Sequence, residues 1–230
     1  MNKIDKTLRY SQPVILVGPA DFDIGFYQKL SDQGYRTVAA DGGANRLYDC
    51  NIMPEAIIGD LDSLNNRDDF DSTTKIIQIH EQETTDFEKC LNHLDAPAIL
   101  AMGFTGKRLD HTLSNIHTIT KFHKSKNVLL VGSDDVSFVY SGNYNSPMEA
   151  QTTISIFPLQ PIEFSKSEGL VFTLKRLNMG IGHFVGTSNR TNGSKLLISP
   201  TDYHLDTPYL ITLSGDNLLE LISFCLKNSS

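Results

Sequence analysis

The chain has 230 residues, 40% of them apolar and 20% charged, with a formal charge of -7. That composition is globular, excludes a disordered chain, and is long enough to bury a sizeable core. The acidic balance argues against a general nucleic-acid or anionic-membrane binder, while leaving phosphate ligands open because a metal ion reverses a local field.

The first half alternates strand and helix signals. Val14–Gly18 is a short apolar run, and Phe22, Phe26 and Leu30 then recur at helical spacing before Gly34. Tyr35–Ala40 reads as a second strand, closed by Asp41-Gly42-Gly43, with a short helix through Arg46 and Leu47 behind it. Ala56–Gly59 and Lys75–Ile79 are the third and fourth strands. Thr85-x-x-Glu88 is a capping box, with Phe87, Leu91 and Leu94 as the apolar face of the helix it opens. Ala98–Met102 is the fifth strand, and Leu109, Leu113, Ile116 and Thr120 mark the face of the next helix. Val128–Gly132 is the sixth. Short apolar runs, each followed by a helix-length segment, predict a parallel sheet covered on both faces.

The pattern changes near residue 140. Ser141–Pro147 is rich in turn residues. Strand-like pieces follow at Thr152–Phe157, Leu170–Leu174, His183–Thr187, Lys195–Ser199 and Tyr209–Leu213, with Asn192-Gly193 as a hairpin turn. Short strands at this spacing predict a small β-sandwich or barrel. Asn217–Lys227 is amphipathic and reads as a helix. The boundary falls near 145, giving domains 1–144 and 145–230.

The three cysteines, Cys50, Cys90 and Cys225, are far apart and fit neither a disulfide framework nor a zinc site. No apolar run approaches the roughly 18–20 residues of a membrane helix, and Met1–Pro13 carries no leader pattern. The expectation is a cytoplasmic enzyme or binding protein.

Ligands of an open parallel sheet bind beyond the carboxyl ends of its strands. The notable polar residues sit there. Asp60 and Asp62 are two carboxylates spaced i, i+2 at the end of strand three. A solvated turn accounts for such a pair, and so does a cation held between them. Asp86 suits the first turn of a helix, and its place at a third strand end also makes it a candidate divalent-cation ligand. Gly103–His111 is a glycine-containing basic loop: its backbone N–H groups, Lys107 and Arg108 suit phosphate. Asp110 is placed to cap the helix that follows, with His111 and Asn115 one turn apart on it. The loop is not a Walker motif. Asp41-Gly42-Gly43 reads as a turn with unusual backbone angles. Neither a nucleophile elbow nor a catalytic-cysteine signature is present.

Together, Asp41-Gly-Gly-Ala-Asn-Arg-Leu47, Gly59-Asp-Leu-Asp-Ser63, Thr85-Asp-Phe-Glu-Lys89 and Gly106-Lys-Arg-Leu-Asp-His111 resemble the thiamine pyrophosphokinase family. Gly169-Leu-Val-Phe-Thr-Leu174 and Gly186-Thr-Ser-Asn189 extend the resemblance into the second half. It implies a Rossmann-like, three-layer α/β domain that binds ATP, followed by a β-sandwich carrying thiamine contacts. It also implies a homodimer whose active sites lie at the subunit interface, and transfer of the diphosphate of ATP to the thiamine hydroxyl with release of AMP. By that resemblance Asp60, Asp62 and Asp86 hold Mg2+. Gly42, Gly43, Asn45, Thr85, Lys107, Arg108 and His111 surround the nucleotide. Arg108 and Asp110 line the phosphate end, where Asp110 orients or deprotonates the attacking hydroxyl. Phe172 stands where some relatives carry Trp and faces the thiamine rings, while Ser188 and Asn189 hydrogen-bond the aminopyrimidine. Two alternatives stay open: a pyrophosphokinase for another alcohol such as a hydroxymethyl-pterin, and a non-catalytic thiamine or nucleotide sensor.

Overall fold

A computed structural model of the chain describes residues 7–65, 68, 70 and 73–228. It has a mixed α/β fold, with a large sheet containing parallel strands and a separate antiparallel sheet. Two compact units divide the chain.

Of the described residues, the first unit comprises those of 7–122, 126–133 and 225–228. Its elements are β1 (Leu8–Arg9), β2 (Val14–Val17), α1 (Ile24–Ser31), β3 (Arg36–Ala40), α2 (Gly43–Asp49), β4 (Ala56–Gly59), β5 (Lys75–Gln78), α3 (Asp86–His93), β6 (Leu94–Asp95), β7 (Ile99–Met102), α4 (Leu109–Phe122) and β8 (Val128–Val131). Six strands pair in parallel in the order β8-β7-β2-β3-β4-β5. Every residue of β2, β4, β7 and β8 is buried. That is why these strands read as unbroken apolar runs, as strands covered on both faces must. β1 and β6 form a two-stranded parallel ladder that sequence reasoning missed, since two-residue strands carry no periodicity.

Helix α1 begins at Asp23, whose carboxylate accepts from the Phe26 N–H, so Phe22 lies outside it. In α3, Thr85 caps as expected, its Oγ1 accepting from the Glu88 N–H at 3.2 Å. The Glu88 carboxylate pairs with Lys121 of α4. For α4 the expected apolar face is wrong. Leu109 and Leu113 are 73% and 57% exposed, and the buried residues are Asn115, Thr118 and Ile119. Asn115 sits inside because its side-chain N–H donates to the Phe104 carbonyl at 2.6 Å, and Thr118 donates to its own helix.

The second unit comprises 123–125 and 134–224, beginning ahead of the turn-rich stretch. Its strands are β9 (Asp135–Tyr140), β10 (Tyr144–Pro147), β11 (Thr153–Pro158), β12 (Ile162–Glu168), β13 (Asn178–Met179), β14 (Gly186–Arg190), β15 (Lys195–Pro200) and β16 (Tyr209–Ser214), followed by α5 (Leu218–Asn228). They form two antiparallel arrangements, β14-β11-β16-β9 and β10-β15-β12-β13. Rings from the two meet: Phe164 of β12 lies 5.3 Å from Tyr209 of β16, and Tyr140 of β9 lies 5.6 Å from Tyr144 of β10.

Three expectations for this half are corrected. Leu170–Leu174 is not a strand; only Leu170 makes a bridge, to Thr191. The strand expected at His183 begins at Gly186, because His183 closes a turn onto the Gly180 carbonyl. Asn192-Gly193 joins no hairpin: β14 pairs with β11 and β15 with β10 and β12, so the chain changes sheets there. The helix expected over Asn217–Lys227 is α5. Among the described residues no helix is long and apolar enough to cross a membrane.

Candidate active site

The carboxyl ends of β3, β4 and β5 lie side by side, because the sheet runs β3-β4-β5. Each end delivers an acid. Asp41 follows β3, Asp60 follows β4, and Asp86 opens α3 after β5. One oxygen from each of Asp41, Asp60 and Asp86 lies within 4.8 Å of the other two.

Local backbone geometry builds this cluster. The unusual angle predicted for Asp41-Gly42-Gly43 falls on the aspartate, with φ 42°, a region that Asp tolerates better than most side chains. Gly42 has an ordinary φ of -57°. Gly43 is required for room: a Cβ there would lie 2.1 Å from the Val17 carbonyl oxygen. Gly59 makes way for Asp41 itself, since a Cβ at 59 would lie 2.6 Å from the Asp41 Cβ. Asn45 ties down the following loop, donating to the Ser63 carbonyl at 2.8 Å and accepting from the Asn65 N–H at 2.9 Å.

A cation already occupies part of the cluster. Lys89, one turn into α3 and only 2% exposed, sets its ammonium 2.9 Å from Asp60 Oδ2 and 3.1 Å from Asp86 Oδ1. Asp60 also accepts from Gln82 Nε2 at 3.0 Å and from the Asp62 N–H at 3.3 Å. The Lys89 hydrogen bond above all holds the Asp60 carboxyl below its ordinary range. Burial works against the Lys89 ammonium, but Asp60 and Asp86 outweigh it and hold its pKa above the lysine value. Asp41 goes the other way: burial first, then the Asp86 charge, push its carboxyl up. Among the described residues its Oδ1 is buried without a hydrogen-bond partner.

That orphaned oxygen tests the site for a metal. Three carboxylates, one with a buried unsatisfied oxygen, form the all-oxygen donor set that a hard divalent cation takes. A buried carboxylate oxygen without a partner is otherwise costly.

The remaining candidates are placed as follows. Asp62 stands outside the cluster and accepts from the Ser63 hydroxyl at 2.9 Å. Thr85 spends its hydroxyl oxygen on the α3 cap. Asp110 lies inside the first turn of α4, so it is not the cap that the sequence suggested. It forms an exposed two-point pair with Arg108, at 2.5 and 3.1 Å. Lys107 pairs with Asp21 at 3.2 Å, and Arg46 reaches the same Asp21 oxygen at 2.5 Å. The loop carrying Lys107 turns through left-handed angles at Gly103, Gly106 and Lys107. His111 is exposed on α4. In the second unit, Asn189 is buried and grips the Phe172 backbone, accepting its N–H at 3.0 Å and donating to its carbonyl at 2.7 Å. Phe172 is 67% exposed. Ser188 has φ 55°, and its N–H donates to Ser155 Oγ at 3.0 Å.

Sequence reasoning missed Asp41 and Lys89 as site residues. The sequence held no signal for Asp41, which only the strand order brings beside the strand end of Asp60. For Lys89 the signal was the i, i+3 spacing from Asp86.

Residues 27–131 match the family model described as thiamin pyrophosphokinase, catalytic domain. The chain is 26% identical over 223 residues to "Thiamine pyrophosphokinase 3" of Oryza sativa subsp. japonica, with 82% of each chain covered. It is 27% identical over 197 residues to "Thiamine pyrophosphokinase 1" of Arabidopsis thaliana, covering 70% of this chain and 73% of that one. Its fold is that of the thiamin pyrophosphokinase from Candida albicans, with a TM-score of 0.76 at 20% identity and 89% of each chain covered. The yeast thiamin pyrophosphokinase structure is similar at a TM-score of 0.75 and 19% identity, covering 91% of this chain and 89% of that one.

Proposed function

We propose that this chain is a thiamin pyrophosphokinase, a reading supported by its similarity to that family's catalytic domain over residues 27–131 and to the plant enzymes, and that it transfers the diphosphate of ATP to the hydroxyl of thiamine, giving thiamine diphosphate and AMP. The observation that carries this reading is the meeting of Asp41, Asp60 and Asp86 at three adjacent strand ends, inside the segment that matches the catalytic-domain model. Release of AMP places the attack at the β-phosphorus. Such a transfer needs positioning and charge neutralisation more than covalent help.

Magnesium fits the donor set. Asp60 and Asp86 would hold it with Asp41, and Asp62 is the further carboxylate within the same motif. Bound there, it supplies charge neutralisation to phosphate oxygens. The glycine loop offers N–H groups, and Lys107 and Arg108 offer positive charge, to the transferred diphosphate or to departing AMP. Gly42, Gly43, Asn45, Thr85 and His111 form the nucleotide surround. Asp110 orients the thiamine hydroxyl or takes its proton.

Residues 1–144 act as the ATP-binding, Rossmann-like catalytic domain, and residues 145–230 as a β-sandwich that presents Phe172, Ser188 and Asn189 to thiamine. The grip of Asn189 on the Phe172 backbone supports a fixed ring at that position. The working form is a homodimer with its active sites at the subunit interface, a reading supported by the apolar Leu109 and Leu113 exposed on α4. Its setting is the cytoplasm, the compartment that supplies ATP.

The test is AMP release from ATP and magnesium, with and without thiamine, with the product identified by mass. Thiamine-dependent AMP and a thiamine diphosphate mass are expected. AMP formed only with a hydroxymethyl-pterin overturns the acceptor. Thiamine binding without AMP overturns the enzyme reading in favour of a sensor.

A further inference from the structure

We infer that Lys89 is the internal counter-ion of the acidic site: it holds Asp60 and Asp86 together before a divalent cation arrives, and then competes with that cation for them. The inference rests on the magnesium reading above.

Three observations carry it. First, Lys89 is buried. Its side chain is 2% exposed, and lysine is almost never buried so fully unless it is paired. Its ammonium contacts Asp60 at 2.9 Å and Asp86 at 3.1 Å, carboxylates delivered by two different elements. Second, among the described residues the charges do not balance. Three carboxylates converge and the Lys89 ammonium pairs with two of them, so this set stays net negative and still attracts a cation. Third, the satisfaction is uneven. The Asp60 oxygens accept from Lys89, Gln82 and the Asp62 N–H, while Asp41 Oδ1 has no partner among the described residues. Lys89 thus serves the β4 and α3 side of the site and does not reach the orphaned Asp41 Oδ1 on the β3 side.

The chemistry follows from Coulomb's law. A unit positive charge a few ångströms from a divalent cation repels it strongly in a half-buried setting. Lys89 therefore weakens metal binding while keeping the ligands assembled without metal. This makes it a positioning residue, acting through Asp60 and Asp86. The competing account is a plain fastener, an ion pair that only ties α3 to the sheet.

The two accounts separate on metal. The probe is Mn2+ alone, titrated by electron paramagnetic resonance into the full chain, with melting curves in chelator and in Mn2+. For Lys89→Met, the counter-ion role predicts Mn2+ bound about tenfold or more tighter than by the parent. It also predicts a larger rise in melting temperature on adding Mn2+ than the parent shows. Lys89→Arg, which keeps the charge, returns both values toward the parent. An unchanged Mn2+ affinity, with melting lowered equally in chelator and in Mn2+, overturns the inference in favour of the fastener.

If Lys89→Met does not fold, the parent answers by lysine-selective NMR. The buried lysine signal shifts on adding Mg2+ if the cation takes its carboxylates, and an unmoved signal at saturation overturns the inference. A parent that binds no Mn2+ with or without ATP sinks the magnesium reading, and this one with it. Binding by the parent with no change in Lys89→Met sinks this one alone.

Discussion

Asp41 pays a conformational cost at φ 42° and carries a carboxylate that burial and Asp86 both oppose. Asparagine tolerates the same backbone region and removes the charge. Asp41→Asn is therefore expected to melt within a few degrees of the parent. Its turnover should fall on the order of a hundredfold, as when one electrostatic contact to a transferring group is lost. Asp60→Asn should fall as far, and Asp62→Asn less, because Asp62 lies outside the cluster and hydrogen-bonds Ser63. Steady-state AMP release on the three variants checks the ranking, and an Asp62→Asn loss equal to that of Asp60→Asn would move Asp62 into the site. A second prediction concerns the thiols. Burial pushes the Cys225 thiol up to about 12 and Cys90 well above the ordinary value, while Cys50 is exposed. Iodoacetamide near neutral pH should therefore label the native chain once, at Cys50, and three times after unfolding. Mass spectrometry reads the count. At this scale the sequence was legible where residue type alone decides, as for Asp60 and Asp86. It was silent on Asp41 as a ligand because nothing in the spacing says that β3 and β4 end together.

A tight junction among the elements is where α2 meets β2. At Gly43 an added Cβ would lie 2.1 Å from the Val17 carbonyl oxygen, a backbone atom that cannot yield without moving the strand. Gly43→Ala is expected to cost about 1–3 kcal/mol, the range of an overpacked core. At Gly42 the nearest atom would be the Ser63 Cβ at 3.3 Å, with φ already ordinary, so Gly42→Ala should cost far less. Thermal melts of the two variants side by side test this. Thr85→Ala removes the α3 cap and should cost about 1 kcal/mol by the same measurement. The parallel strands were readable because full burial leaves an unbroken apolar signature. The face of α4 was not. Its buried Asn115 and Thr118 are polar residues satisfied by hydrogen bonds, which a hydrophobic pattern cannot register. Asn192-Gly193 misled for a related reason: the dipeptide turns the chain, but only the pairing of β14 and β15 with other strands shows that the turn joins no hairpin.

Over the whole molecule, the candidate metal ligands and the apolar core are separate features. The buried apolar residues run along β2, β4, β7 and β8, whereas the acids sit beyond strand ends. Chelating divalent metal should therefore abolish AMP release while leaving the far-ultraviolet dichroism of the chain unchanged. A loss of secondary structure in chelator would show that the ion is structural. The alternation of strand and helix in the first half was legible in the sequence. The order β8-β7-β2-β3-β4-β5 was not, because adjacency in a parallel sheet is set by crossovers rather than by any one segment. That order also bears on how the protein is made. β2 emerges from the ribosome early and finds β3 soon after, but its other neighbour is β7, with Val14 paired to Ile99. Until β7 is synthesised, one flank of an entirely apolar strand has no mate, and such an edge is a template for wrong pairing. The acidic strand ends of β3, β4 and β5 are translated before β7 and the basic loop that follows it. Slowing translation across that interval is therefore expected to lower the soluble yield of the chain, which fractionating synonymous-codon variants would check.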